Sequence, residues 1–301
     1  MKFKVLGSVG VEVEGHFHSV RGTQQRALLA VLLVNGGRMV PAEDLYTELW
    51  GDDPPLTVEN ALQAHVSRLR RTLQAWGGGE AALRARSTGY LLEFDAEDLD
   101  MNVFRRRAAA ARAVMGCDPV RAAALLQECL GLWRGAPLQD AAKGPLCQSV
   151  AVQLGEEHLA AVEDKLWLDI ECEVPSAIGE LKRMSVVHPW RERITEILML
   201  ALYRCGRQAE AIETYHAARH RMVAELGMEP SAQLRERFLD ILNQTPRRPA
   251  PAPAPPAAPA AQAVPAAQAV SATPAVPATP AVPAASAVSA VVAGAELARS
   301  A

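Results

Sequence analysis

TVENALQAHVSRLRRTLQAWGGG, residues 57–79, carries two patterns at once. At 100° per residue, Val58, Leu62, Val66, Leu69 and Leu73 fall within about 40° of one line, the apolar stripe of a helix lying on a core. Thr57 stands where an N-cap belongs and Gly77-Gly78-Gly79 ends the run, so the spacing predicts a helix from Thr57 to about Trp76. The opposite face holds Asn60, Gln63, Ala64, Ser67, Arg68 and Arg71, with Arg70 and Gln74 at its flank. That face offers donors, small side chains and cations, and no acid.

Upstream, QQRALLAVLLVN reads as a helix capped by Thr23 and stopped by Gly36-Gly37. A second helix has Pro41 in its first turn and runs through Leu45, Leu49 and Trp50 to Gly51. Residues 1–22 alternate apolar and polar side chains between glycines, the pattern of a small antiparallel sheet. Downstream, LRARSTGYLLEF reads as a hairpin turning around Ser87-Thr88-Gly89. Between Asn60 and Leu92 five arginines (68, 70, 71, 84 and 86) face one acid, Glu80, in a chain whose net charge is −3. The order sheet, three helices, hairpin is that of a winged helix-turn-helix, α+β in class. Its third helix would enter the major groove while the wing and helix ends hold phosphates. A solvated helix face would carry the same arginines, so pattern alone leaves both readings open.

From about Leu99 to Gln244 the periodicity is helical, broken by turn signals at Gly116-Cys117-Asp118-Pro119, Val174-Pro175-Ser176 and His188-Pro189. Small residues at Ala201, Gly206, Ala209 and Ala211 suit the crossing of two helices in a tetratricopeptide-type unit closed by Pro230. Glu156, Glu157, Glu163 and Asp164 read as the wet faces of these helices. From Thr245 the chain turns to Pro and Ala, with no charge between Pro249 and Ala295. Such a stretch buries too little to offset its ordering entropy and is expected to be a disordered, partly polyproline-II tail. The expected divisions are 1–96, 97–245 and 246–301.

The 301 residues suffice for two cores. Five widely spaced cysteines without a CxxC pair read as reduced core thiols of a cytosolic protein. The N-terminus lacks an export signal, and the apolar run Ala27 to Val34 is far short of the roughly 18–20 residues that span a bilayer. Cytoplasmic placement and no membrane partner are expected. GxxxxGK[ST], GxGxxG, GxSxG and HExxH patterns are absent, so no enzyme, no catalytic residue and no cofactor are predicted. His16, His18 and His65 lack further ligands at metal-binding spacing, so no metal site is expected either.

The runs RGTQQRALLAVLLV (21–34), DLYTELWGDDPP (44–55), ENALQAHVSRLRRTL (59–73) and TGYLLEFD (88–95) resemble the winged-helix domain of the Streptomyces antibiotic regulatory protein family. LLQECLGLWRGAPLQD (125–140) and the stretch from His188 to Leu234 resemble its bacterial transcriptional activation domain. The resemblance implies a response-regulator output-type winged helix followed by tetratricopeptide-like helices, in a short member of the family. It implies a nucleoid-associated activator of a secondary-metabolite (antibiotic) gene cluster. Such a protein binds direct repeats in double-stranded promoter DNA as a homodimer and recruits RNA polymerase holoenzyme with its sigma factor. Carried over by position, Thr57, Asn60, Gln63, Ala64, Ser67, Arg68 and Arg71 belong to the groove-facing helix, and Arg84, Arg86, Thr88 and Tyr90 to the wing. Where relatives often have a Pro-Lys pair, this chain has Thr23-Gln24. A helical-repeat scaffold for protein partners, and a steric repressor using the same DNA-binding part, are the alternatives.

Overall fold

Phe3, Val5, Val9 and Val11 are buried, and the N-terminal segment folds around them. Strands β1 (Lys2–Lys4), β2 (Gly10–Val13) and β3 (His16–Ser19) form an antiparallel sheet in that order. The β2–β3 turn is Glu14-Gly15, both at positive φ, as a two-residue primed turn requires. The computed structural model describes residues 1–77, 82–141, 144–171 and 177–245. The expected tail, Gly78, Gly79, Glu80, Cys172 and the Val174-Pro175-Ser176 turn lie outside them.

Three helices follow: α1 (Thr23–Val34), α2 (Ala42–Trp50) and α3 (Val58–Ala75). All residues from Ala27 to Leu33 are buried, so α1 is enclosed on every side, with α2 and α3 packed on it. Its N-cap is Gly22, not Thr23, because the chain enters the helix at a φ of 88°, which disfavours a side chain. Strand β4 (Val40–Pro41) pairs with β6 (Gly89–Glu93), which pairs with β5 (Ala82–Arg86) to make the expected hairpin. A Cβ on Gly89 would overlap the Val40 carbonyl, so glycine is what lets β4 reach β6.

Beyond a short 3-10 turn at Ala96–Asp98 the chain is helical: α4 (Asp100–Val114), α5 (Pro119–Leu130), α6 (Pro145–Glu171), α7 (Ala177–Val187), α8 (Glu192–Arg204), α9 (Gln208–Leu226) and α10 (Ala232–Leu242). The Asp118 carboxylate accepts from the Arg121 N–H ahead of Pro119, the start chemistry of α5. The Ser231 hydroxyl does the same for α10, accepting from the Leu234 N–H. Helices α4 and α5, α7 and α8, and α8 and α9 pack on each other, with α6 against α5 and α8. Among the described residues no helix is long and apolar enough to cross a membrane. Cys129 and Cys147 are core thiols, whereas Cys117 and Cys205 are exposed in turns that the apolar pattern does not distinguish from helix.

Three of the four acids assigned above to wet helix faces are buried. Arg105 on α4 grips Glu157 with two bonds of 2.8 and 3.0 Å. Asp164 lies between Arg112 of α4 and Arg193 of α8, each at 2.8 Å, and Glu163 accepts from Arg191 at 2.7 Å. Glu156 alone stays exposed. The arginines come from segments 28 to 52 residues away, which the periodicity of α6 cannot register. Buried charges of this kind persist only when paired, and losing one partner is costly.

One apolar core runs through both the sheet–helix part and the helical part. Asp100, 4% exposed at the start of α4, accepts from the N–H groups of Val5 and Leu6 at 2.9 and 3.2 Å. Burial pushes its carboxyl above the ordinary range, against those donors and the Arg134 guanidinium, which pull it down. Removing the side chain strands two buried N–H groups. Asp100→Ala is expected to lower the unfolding free energy by about 2–4 kcal/mol in urea denaturation of the full chain. A loss below about 1 kcal/mol would mean that water replaces the carboxylate.

Candidate nucleic-acid interface

Helix α3 extends about 27 Å at 1.5 Å per residue, and its two sides part as the periodicity predicts. Leu62, Val66, Leu69 and Leu73 are buried; Val58 is only half-buried at the open first turn. Packing is chiefly on α1, α2 and β5. Asn60, Gln63, Ala64, Ser67, Arg68 and Arg71 are all exposed on the other side, and so is Thr57. Thr57 holds the N-cap position, but its side chain makes no capping bond; its carbonyl accepts from the Ala61 N–H. A helix of this diameter fits a major groove about 12 Å wide, and Arg, Asn, Gln and Ser are the side chains that read base edges or phosphates there.

Consecutive arginines on α3 have different employment. Arg70 points to the hairpin and donates from Nε and Nη2 to the Leu83 carbonyl at 3.1 and 2.9 Å. It fastens the wing to the helix and is not free for a ligand. Arg71, one residue on, faces solvent. On the hairpin Arg86 and Thr88 are exposed, while Tyr90 is half-buried against the core. Arg84 pairs with Glu93 at 2.7 Å, an exposed contact worth little in water, which a phosphate could replace.

Other residues enter the site from outside the helix. Met39 takes a hydrogen bond from the Thr88 hydroxyl, which sets the exposed cation Arg38 beside the wing. Arg38 lies thirty residues before the basic cluster, so no local charge count could include it. Gln24, at the position that departs from the family's Pro-Lys pair, donates to the Leu49 carbonyl at 2.9 Å. It ties α1 to the end of α2 and is half-buried, so this position supplies no cation to a duplex. His65 is half-buried with its ring 5.9 Å from that of Trp50. Burial, then the neighbouring Arg68 charge, hold its imidazole below the usual pKa. Tyr46 is shifted the other way, by burial and by Glu59 on the α2-facing flank of α3.

The sequence matches two described families: "Transcriptional regulatory protein, C terminal" over residues 20–92 and "Bacterial transcriptional activator domain" over residues 99–242. It is 40% identical to the transcriptional regulator RedD of Streptomyces coelicolor, covering 82% of this chain and 71% of RedD. It is 31% identical to the regulatory protein DnrI of Streptomyces peucetius, covering 85% of this chain and 97% of DnrI. The regulatory protein AfsR of Streptomyces griseus is 37% identical over 85% of this chain, which spans only 26% of that longer protein. Among solved structures, EmbR of Mycobacterium tuberculosis in complex with a low-affinity phosphopeptide superposes with a TM-score of 0.77 at 30% identity, over 82% of this chain and 66% of EmbR.

The two adjacent arginines should separate in denaturation experiments. Arg70→Ala is expected to cost about 1–3 kcal/mol through its lost bonds to the Leu83 carbonyl, and Arg71→Ala no more than about 0.5 kcal/mol. Equal losses would contradict the division of roles. For His65 the unfolded chain takes up its proton first as pH falls, so its contribution to stability is held above roughly pH 6.5 and lost below it. Between pH 7.5 and 5.5 the melting midpoint of His65→Gln should therefore fall less than that of the wild type.

Proposed function

The chain belongs to the Streptomyces antibiotic regulatory protein family of transcriptional regulators, and on that premise we propose that it activates promoters of a secondary-metabolite gene cluster by binding direct repeats in their DNA. In this reading residues 1–96 are the DNA-binding domain and 97–245 the activation domain. The exposed face of α3 enters the major groove through Asn60, Gln63, Ala64, Ser67, Arg68 and Arg71. Thr57 meets the backbone at the helix start; Arg84, Arg86, Thr88 and Tyr90 form the wing contact, joined by Arg38. Two copies bind head to tail with centres about one helical turn, or 34–36 Å, apart, so that both face the same side of the duplex. The helical part recruits RNA polymerase holoenzyme through its sigma factor.

The observation that carries this reading is the outward set Asn60, Gln63, Ser67, Arg68 and Arg71 on α3, which places two exposed cations on a helix whose one exposed acid is Glu59, in a chain that is acidic overall. Net charge would repel a duplex, so attraction must come from a local cation cluster, and α3 with its hairpin holds one. The match of residues 99–242 to an activator domain supports activation over steric repression.

Each phosphate contact contributes about 0.9 to the slope of log affinity against log salt. Arg71→Ala is expected to weaken operator binding roughly tenfold or more, and to flatten that slope by about 1 if its partner is a phosphate. Fluorescence anisotropy on the promoters flanking the gene, across a salt series, provides the measurement. Unchanged affinity and unchanged slope together would remove α3 from the interface.

A further inference from the structure

The connection between the sheet–helix part and the helical part has no slack. Only residues 94–99 separate β6 from α4, and within them Leu99 bridges to Phe3. The chain from 134 to 139 returns to the first sheet, where the N–H groups of Arg134, Leu138 and Gln139 donate to the carbonyls of Leu6, Val5 and Gly7 at 2.9, 2.9 and 3.2 Å. Asp140 accepts from the Val9 N–H at 2.8 Å and pairs with Arg26 of α1 at 3.2 Å.

The fastening nearest to the DNA-facing helix is Glu48. It sits on α2, directly before α3, and is 3% exposed. Its carboxylate turns away from the α3 face and caps α6, accepting from the N–H groups of Leu146 and Cys147 at 2.5 and 3.3 Å. A negative charge at a helix start is favoured by the free N–H groups and the helix dipole. Burial, with the Glu48 carboxylate alongside, pushes the Cys147 thiol well above its usual range. The fit is close: a Cβ on Gly144 would overlap Glu48. From this cap α6 runs about 40 Å, and its far half carries the Glu163 and Asp164 pairs that hold α4 and α8. α6 is thus a strut with one end gripped by the helix-turn-helix and the other built into the helical bundle.

We propose that Glu48 is a positioning residue for activation. Through the cap on α6 it fixes the angle between the DNA-reading helix and the helical part, so that output depends on the rotational phase between operator and promoter. A loosely tethered activation domain would reach polymerase from either side of the duplex; one locked by desolvated carboxylates reaches it from one side only. The inference rests on the DNA-binding reading given above and adds a phase requirement to it.

The test uses the full-length chain, RNA polymerase holoenzyme and a set of templates in which the operator is moved in single-base-pair steps over about two helical turns. Operator affinity is measured in parallel by anisotropy. Wild-type output is expected to oscillate with a period of about 10–10.5 base pairs. Glu48→Gln and Gly144→Ala, which disturb the joint from opposite sides, should bind the operator within about twofold of wild type, because both residues are turned to α6 and neither belongs to the exposed face of α3. Their output at the best spacing should fall roughly fivefold or more, and the oscillation should flatten. Wild-type binding with output that ignores phase overturns the proposal, whether or not either variant folds. So does retention of full, sharply phased output in both variants once hydrogen exchange shows the Leu146 and Cys147 amides released. Wild-type failure to bind the operator at all would instead sink the DNA-binding reading beneath it.

Discussion

A carboxylate removed from water must be given donors, and in this protein the donors come from elsewhere in the chain. The buried Asp100 takes the N–H groups of Val5 and Leu6 and the buried Glu48 those of Leu146 and Cys147, while the half-buried Asp140 takes that of Val9. Each pairing is directional, and each links segments 94 to 131 residues apart. Apolar burial would hold the two parts together without choosing an angle, because the hydrophobic effect is non-directional. Hydrogen-bonded carboxylates supply that angle, since a misaligned joint would leave buried charge unsatisfied.

The helical part uses the same chemistry with arginine as donor. Glu157, Glu163, Asp164 and Glu196 are buried and gripped by Arg105, Arg193, Arg112 and Arg237 from neighbouring helices and by Arg191 at the start of α8. The bidentate guanidinium suits a planar carboxylate, so these pairs set helix-to-helix orientation within the bundle. The rigidity of α6 as a strut follows from having both of its halves anchored by such contacts.

On α3 the arrangement is reversed, with apolar side chains inward and Arg68 and Arg71 outward. The four buried leucine and valine side chains hold it, and its outer face is left to solvent with Arg68 and Arg71 exposed. Arg70 shows how little separates a structural arginine from an available one: a 100° rotation along the helix carries it from the outer face to the Leu83 carbonyl. The hairpin is held in turn by Gly89 against β4, so the wing and the helix keep a fixed relation.

Much of this was legible in the sequence, because periodicity and turn chemistry are local. The stripe from Leu62 to Leu73, the outward set from Asn60 to Arg71, the hairpin around Ser87-Thr88 and the helical run after Leu99 are consequences of spacing that neighbouring residues determine by themselves. Thr23 misled because a side chain that can cap says nothing about the φ at which the chain arrives, and Gly22 arrives at 88°. The partners of Glu157, Glu163 and Asp164, the inward turn of Gln24, the service of Arg70 to the wing and the grip of Glu48 on α6 were decided only by the tertiary structure. Amphipathic spacing states which side of a helix avoids water; it carries no term for which distant donor will meet an acid on that side, and that pairing exists only once the packed chain has brought the two together.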